Sequence, residues 1–171
     1  MRMCPTWAVV MLSLAQVVSR HFLPDPVMIH EPFRTRFAAD ETAVRRALAL
    51  LLVELRNHPN CDRGACEIVV AEVLNNIVEH ACNGGEDGWI ELCFAANETA
   101  TLFTVSDNGV PMPDLRLPPL KNPIIDGAVG DLPEGGFGWA LIHTLTQTLT
   151  YKRTAGVNTL TFEIAAYSMS E

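Results

Sequence analysis

Asn97-Glu98-Thr99-Ala100 constrains the fold more than any other stretch, because it separates two runs that alternate apolar and polar residues, Trp89 to Ala96 and Thr101 to Asp107. Four residues can reverse a chain into a hairpin, but a parallel return needs a crossover of about a dozen residues or more. The two runs are therefore expected to be antiparallel neighbours. A second hairpin is expected from Leu149–Arg153 and Thr159–Ile164, turning through Ala155-Gly156-Val157-Asn158, and a single alternating strand, Phe33 to Phe37, precedes both.

Helical spacing fills the intervals. After Asp40, a residue suited to capping, Val44, Leu48, Leu51, Leu52 and Leu55 predict a helix from Glu41 to Arg56 that stops before Pro59. A second helix is expected from Asp62 to Cys82, with Val70, Val73, Leu74, Ile77, Val78 and Ala81 as its apolar stripe and Asn83-Gly84-Gly85 as its stop. A third opens at Gly135-Gly136-Phe137-Gly138 and runs through Ala140, Leu141, Ile142 and Leu145. Hairpins separated by helices predict an α/β chain of the α+β kind: a two-layer sandwich whose mostly antiparallel mixed sheet carries the helices on one face.

A chain of 171 residues, 49% hydrophobic and 19% charged, fits one domain with an ordinary core. That domain is expected over residues 31–166, after an N-terminal extension of residues 1–30. Within the extension, Trp7 to Val18 is apolar but too short to span a membrane, and it runs into Val17-Val18-Ser19-Arg20 without the small residues of a signal-peptide cleavage site. A docking helix, or a true start further on at Met28, are the two readings left open. The net charge of −8 repels a phosphate backbone, which argues against direct DNA or RNA binding, and any acidic ligand would need local compensation. Five cysteines without a C-x-x-C pair suggest neither a disulfide framework nor a zinc site, and point to reduced thiols in the cytoplasm.

Three polar features interrupt this apolar plan. Glu72, Asn76 and His80 recur every fourth residue of the second helix, and each step of four turns the helix by about 40°, so they form a slowly winding row beside the apolar stripe. An amide oxygen at Asn76 suits magnesium, a hard cation that keeps several waters beside bound phosphates. A carboxylate one turn earlier, at Glu72, can accept a proton from an attacking hydroxyl. His80, one turn later, suits a structural hydrogen bond. A plain solvated helix face would have the same spacing. Asp107-Asn108-Gly109 is equally at home in an ordinary turn, or as an acceptor for an exocyclic amine beside room for a ring. The glycines at 135, 136 and 138 are more pointed: at a helix start, backbone N–H groups and the helix dipole converge on phosphate oxygens. No G-K-[ST] ending or strand-led G-x-G-x-x-G accompanies them, which excludes a P-loop and a dinucleotide fold. Between them, residues 109–133 hold six of eleven prolines and no periodicity, the marks of a lid.

In this order, E-x-x-x-N-x-x-x-H at 72–80, D-N-G-V-P at 107–111 and E-G-G-F-G-W-A-L-I at 134–142 resemble the ATPase domains shared by histidine kinases, gyrase and a class of heat-shock chaperone. The chain is most similar to the small anti-sigma-factor serine kinases of bacteria, from about Phe33 to Ile164. The resemblance implies ATP and Mg²⁺ as cofactors, Glu72 as catalytic base, Asn76 as magnesium ligand and Asp107 as reader of adenine. It further implies that Gly109 shapes the adenine pocket, that Gly135, Gly136 and Gly138 border the phosphates under the lid, and that His80 belongs to the nucleotide-binding set. The partners implied are a sigma factor and a small antagonist protein phosphorylated on serine, with a homodimer the common assembly. A dimerising helix pair or a transducer domain does not fit this length. One departure is plain: several such kinases carry an arginine close before the glycine pair, and here Leu132-Pro133-Glu134 stands there. Arg116 and Lys121 in the lid are the candidates to replace its charge, with solvent exposure the simpler state for both.

Overall fold

The computed structural model describes residues 33–82, 87–120 and 137–167. The N-terminal extension, the expected Asn83-Gly84-Gly85 stop, lid residues 121–133, and Gly135 and Gly136 lie outside the described residues.

Five strands form one sheet in the order β1-β2-β3-β5-β4: β1 is Phe33–Ala38, β2 Trp89–Ala96, β3 Ala100–Asp107, β4 Thr148–Thr154 and β5 Val157–Ala165. All four ladders are antiparallel, so no parallel pair is present among the described strands. The short β2–β3 connection is closed by Asn97, whose Oδ1 accepts from the backbone N–H of Thr99 and Ala100, both at 2.8 Å. Such local bonding gives the turn its own hydrogen bonds in place of the ladder's.

Helix α1 spans Glu41–Glu54 and helix α2 spans Arg63–Asn76. Each begins where a carboxylate takes up an otherwise orphaned amide: Asp40 Oδ1 accepts from Ala43 N at 2.9 Å, and Asp62 Oδ1 from Ala65 N at 3.0 Å. Past Asn76 the second helix widens into a π-helical turn, Ile77–Cys82. Helix α3 spans Phe137–Leu145. Val44, Leu51 and Leu55 from the first helical segment, Val69, Val70, Val73 and Leu74 from α2, and Ile142 from α3 pack with Phe94, Phe103 and Phe162 of the sheet in one core. Phe103 and Phe162 stack with centroids 5.2 Å apart in the centre. The opposite face of the sheet is polar, with Arg34, Glu91, Thr104, Thr161 and Lys152 at alternate positions, so the helices occupy one layer and the sheet the other.

The closing hairpin is tighter than its sequence suggests. Thr154 pairs with Val157, leaving only Ala155 and Gly156 in the turn, at φ 50° and 82°. Two left-handed residues match the twist of the flanking strands. Asn158, expected in that turn, is instead inside β5 and buried. Cys61, Cys66, Cys82 and Cys93 are free thiols, three of them buried, and burial pushes the Cys66 thiol up to about 12. Among the described residues, no helix is long and apolar enough to cross a membrane.

Candidate functional site

Alternation along a strand sends every second side chain to the helix-facing layer, and the register aligns these positions across the sheet. Thus Phe94, Phe103, Phe162 and Leu149 make one apolar row, and Leu92, Val105, Leu160 and Tyr151 the next. The following row reads Ile90, Asp107, Asn158 and Arg153. Two buried polar residues and a cation therefore replace the core at one end of the sheet, beneath the end of α2.

Those groups satisfy one another. Asp107 Oδ1 accepts from Gly109 N and from Asn158 Nδ2, each at 2.8 Å. Asn158 Nδ2 also donates to the Val110 carbonyl at 3.0 Å, and Asn158 Oδ1 accepts from the Tyr151 hydroxyl at 2.7 Å and from Arg153. Arg153 Nη1 donates to the Gly109 carbonyl at 2.9 Å, and Met112 N donates to the Tyr151 hydroxyl at 3.1 Å. The start of the expected lid is thereby fastened to β4 and β5. Burial pushes the Asp107 carboxyl above the usual carboxylate range, against the opposing effect of Asn158, the Gly109 amide and the Arg153 charge. Among the described residues the hydrogen bonds to the Asp107 carboxylate fall on Oδ1, and Asp107 lines a cavity of about 260 Å³.

The cavity walls are apolar and aromatic, from Val73 and Ile77 on one side to Met112, Pro118, Trp139 and Leu160, with Asn76, His80, Asp107 and Asn158 as polar groups. Apolar walls with few placed polar groups suit a flat heteroaromatic ring. Gly109 abuts the π-helical turn so closely that a Cβ there would lie 2.5 Å from the Ala81 carbonyl oxygen. That carbonyl accepts from Val110 N at 2.8 Å. On the far side, His143 Nε2 donates to the Pro118 carbonyl at 2.8 Å, tying the loop after β3 to α3.

The residues expected to act together are brought together with one qualification. Asn76, His80 and Asp107 line the cavity, whereas Glu72 is not among the lining residues and lies against Gly138, where a Cβ would collide with the Glu72 carboxylate and lie 3.7 Å from Asn76 Nδ2. Glu72 and Asn76 are half-buried and His80 is exposed, with Glu79 Oε2 3.9 Å from its Nε2. Asn76 Nδ2 is buried without a hydrogen-bond partner, the condition of a group that awaits a ligand. Arg116 is exposed and does not line the cavity, and Lys121 lies outside the described residues. Asn158, Tyr151 and Arg153 had no motif to mark them. Their signal was the polar residue in phase with the apolar face of β5, legible only once the turn was known to be two residues long.

A model of the histidine kinase-like ATPase domain matches residues 37–164. Comparison with curated proteins finds no significant match. Among solved structures, the chain is similar to the RsbU and RsbW domains of Rv1364c from Mycobacterium tuberculosis, at 20% identity and a TM-score of 0.52, over 84% of this chain. It spans 32% of the length of that structure's chain. The catalytic domain of the histidine kinase ThkA matches at 18% identity and a TM-score of 0.44, over 78% of this chain and 97% of that one. The family match covers most of the sheet, the cavity and all three helices, and the chain belongs to the histidine kinase-like ATPase domain family.

Proposed function

We propose that this chain is an ATP-dependent protein serine kinase that also regulates a sigma factor, phosphorylating a serine on a small antagonist protein in the cytoplasm and acting as a homodimer. The observation that carries the reading is the meeting of Glu72, Asn76 and Gly138, because it joins a carboxylate and a close backbone approach, both outside the cavity lining, to an unpartnered amide that lines the cavity. Family membership supports use of ATP. The serine specificity and the partners rest on the motif resemblance.

In this reading Asp107 and the apolar walls hold the base, and Gly138, with Gly135 and Gly136 just before α3, lets phosphates approach the backbone amides. Asn76 fits a magnesium ion: rotation about its soft terminal torsion exchanges the orphaned Nδ2 for Oδ1, an oxygen ligand of the required hardness. No cluster of three His, Cys, Asp or Glu side chains that could hold a metal exists among the described residues, so phosphate and water oxygens would complete its shell. When bound, magnesium supplies charge neutralisation at the phosphate oxygens. Glu72 accepts the proton of the serine hydroxyl as that oxygen bonds to the terminal phosphorus, and the bond from that phosphorus to the oxygen bridging the last two phosphates breaks, releasing ADP.

A second reading is a binding switch that recognises ATP without transferring phosphate. It is favoured by the absence of any Lys or Arg among the described residues lining the cavity, together with Leu132-Pro133-Glu134 before the glycines. Incubation with labelled ATP, Mg²⁺ and candidate antagonists separates the two. The kinase reading expects label on a serine of the antagonist, lost in Glu72→Gln. The switch reading expects no label, with partner binding lost in Asn76→Ala and intact in Glu72→Gln.

A further inference from the structure

Helix α1 departs from the rule that a helix lying on a core turns a polar face to water. From Ala47 to Val53 it reads Ala-Leu-Ala-Leu-Leu-Leu-Val, about two turns without a polar side chain. Val44, Ala47, Leu51 and Leu55 point into the core. At about 100° per residue, Arg46, Ala49, Leu50 and Val53 fall on the opposite side. There Leu50 is 55% and Val53 58% exposed, and Ile68 on the neighbouring α2 is 44% exposed. A stretch of helix that is apolar all round belongs in an environment that covers it all round.

The same chain carries a second long apolar stretch, Trp7 to Val18, which is uncharged and interrupted only by Ser13 and Gln16. The fold brings its attachment point to the end of α1 that bears the exposed residues. Phe33, where the described chain begins, has its ring 5.3 Å from that of Phe94, and the Phe94 ring is 5.5 Å from that of His58, just beyond α1. β1 runs away from this end and α1 returns to it, so the chain enters beside the turns of Leu50 and Val53. Residues 19–32 reach about 45 Å when extended and on the order of 20 Å as a flexible tether, against about 10–12 Å for the width of the helix to be rounded.

Charge distinguishes this occupant from a second copy of the chain. Arg46 and Arg56 are exposed at the two ends of the apolar stripe. Two such stripes paired about a two-fold axis would set Arg46 of one copy against Arg56 of the other, a like-charge contact. An uncharged segment leaves both arginines in water at the rim.

We infer that the outer face of α1, with Leu50, Val53 and the adjoining Ile68, is the docking surface for residues 7–18 of the same chain. This contact is separate from the nucleotide cavity and does not depend on ATP.

Two measurements on the full chain test it. With the photoreactive p-benzoylphenylalanine in place of Val53, irradiation is expected to join the peptide carrying position 53 to residues 3–20, which trypsin releases between Arg2 and Arg20, in a product of single-chain mass. Hydrogen exchange is expected to be slowed about 10-fold or more over residues 7–18, relative to a free peptide of that sequence. Leu50→Asp is expected to remove this protection while leaving exchange in β2 and β3 as in the wild type. An adduct of doubled mass would assign the face to a second copy and overturn the inference, as would an adduct to any other peptide or none at all. Protection that survives Leu50→Asp would place the segment elsewhere, and free exchange of residues 7–18 in the wild type would show it undocked. Either result refutes the inference and leaves the nucleotide reading untouched.

Discussion

Asn158 Nδ2 lies 2.8 Å from Asp107 Oδ1, and the two residues are directly opposed in the β3–β5 ladder. A buried acid is thus held by a neutral donor, with the Arg153 guanidinium one strand further along the same row. Partial compensation of this kind leaves a charge in the core that burial still disfavours.

That imbalance has a measurable sign. The Asp107 carboxyl holds its proton more tightly in the folded chain than in the unfolded one. Stability contributed by this group is therefore largest at pH below the unfolded value and falls as pH rises through the raised folded value. Asp107→Asn keeps an acceptor for Gly109 and Asn158 and removes the charge. Thermal melts from pH 3.5 to 8 are expected to show the variant gaining on the wild type as pH rises, while losing ATP affinity. A difference between the two proteins that does not change with pH would contradict the assignment.

Gly138 and Gly109 should respond differently to a methyl group. At 138 the obstacle is the end of the Glu72 side chain, which can move, so Gly138→Ala is expected to fold with a loss of about 1 kcal/mol and to disturb the Glu72–Asn76 pair, lowering phosphate transfer more than base binding. At 109 the obstacle is the Ala81 backbone, which cannot give way without displacing the π-helical turn. Gly109→Ala is expected to cost about 3 kcal/mol, the upper end for overpacking. Urea unfolding of the two variants checks the order, and equal losses would tell against it.

Ala155 occupies a left-handed conformation that an alanine adopts at a cost of about 1–2 kcal/mol. Asparagine tolerates those angles and makes the Asn-Gly pair preferred in two-residue turns. Ala155→Asn is therefore expected to raise the melting temperature by several degrees, on the order of 1 kcal/mol, without altering nucleotide binding. A lowered melting temperature would show the turn to be built differently.

Much of this architecture was legible before any coordinates, because its elements obey local rules. Asp40 and Asp62 cap the helices they precede, the hydrophobic spacing of Val44, Leu51 and Leu55 marks a buried face, and the three residues between β2 and β3, one fewer than expected because Ala100 opens β3, permit only a hairpin. The site was half legible. Asp107 and Asn76 stand out because polar residues interrupt apolar patterns, yet the separation of Glu72 from the cavity follows from how α3 packs on α2, which no local pattern records. The Asn158 hub depended on one register choice: a four-residue turn leaves it in a loop, and a two-residue turn buries it opposite Asp107. The widening of the helix at Ile77–Cys82 likewise has no signature in residue spacing, since the same residues suit an α-helix.

The most direct test of the account is calorimetric titration of the wild-type chain and Asn76→Ala with ATP, in the presence and absence of Mg²⁺. The account predicts saturable binding by the wild type at micromolar to millimolar affinity, roughly −8 to −4 kcal/mol. It predicts that this binding weakens at least several-fold when either Mg²⁺ or the Asn76 amide is removed. No binding at millimolar ATP, or binding indifferent to both Mg²⁺ and Asn76, would contradict it.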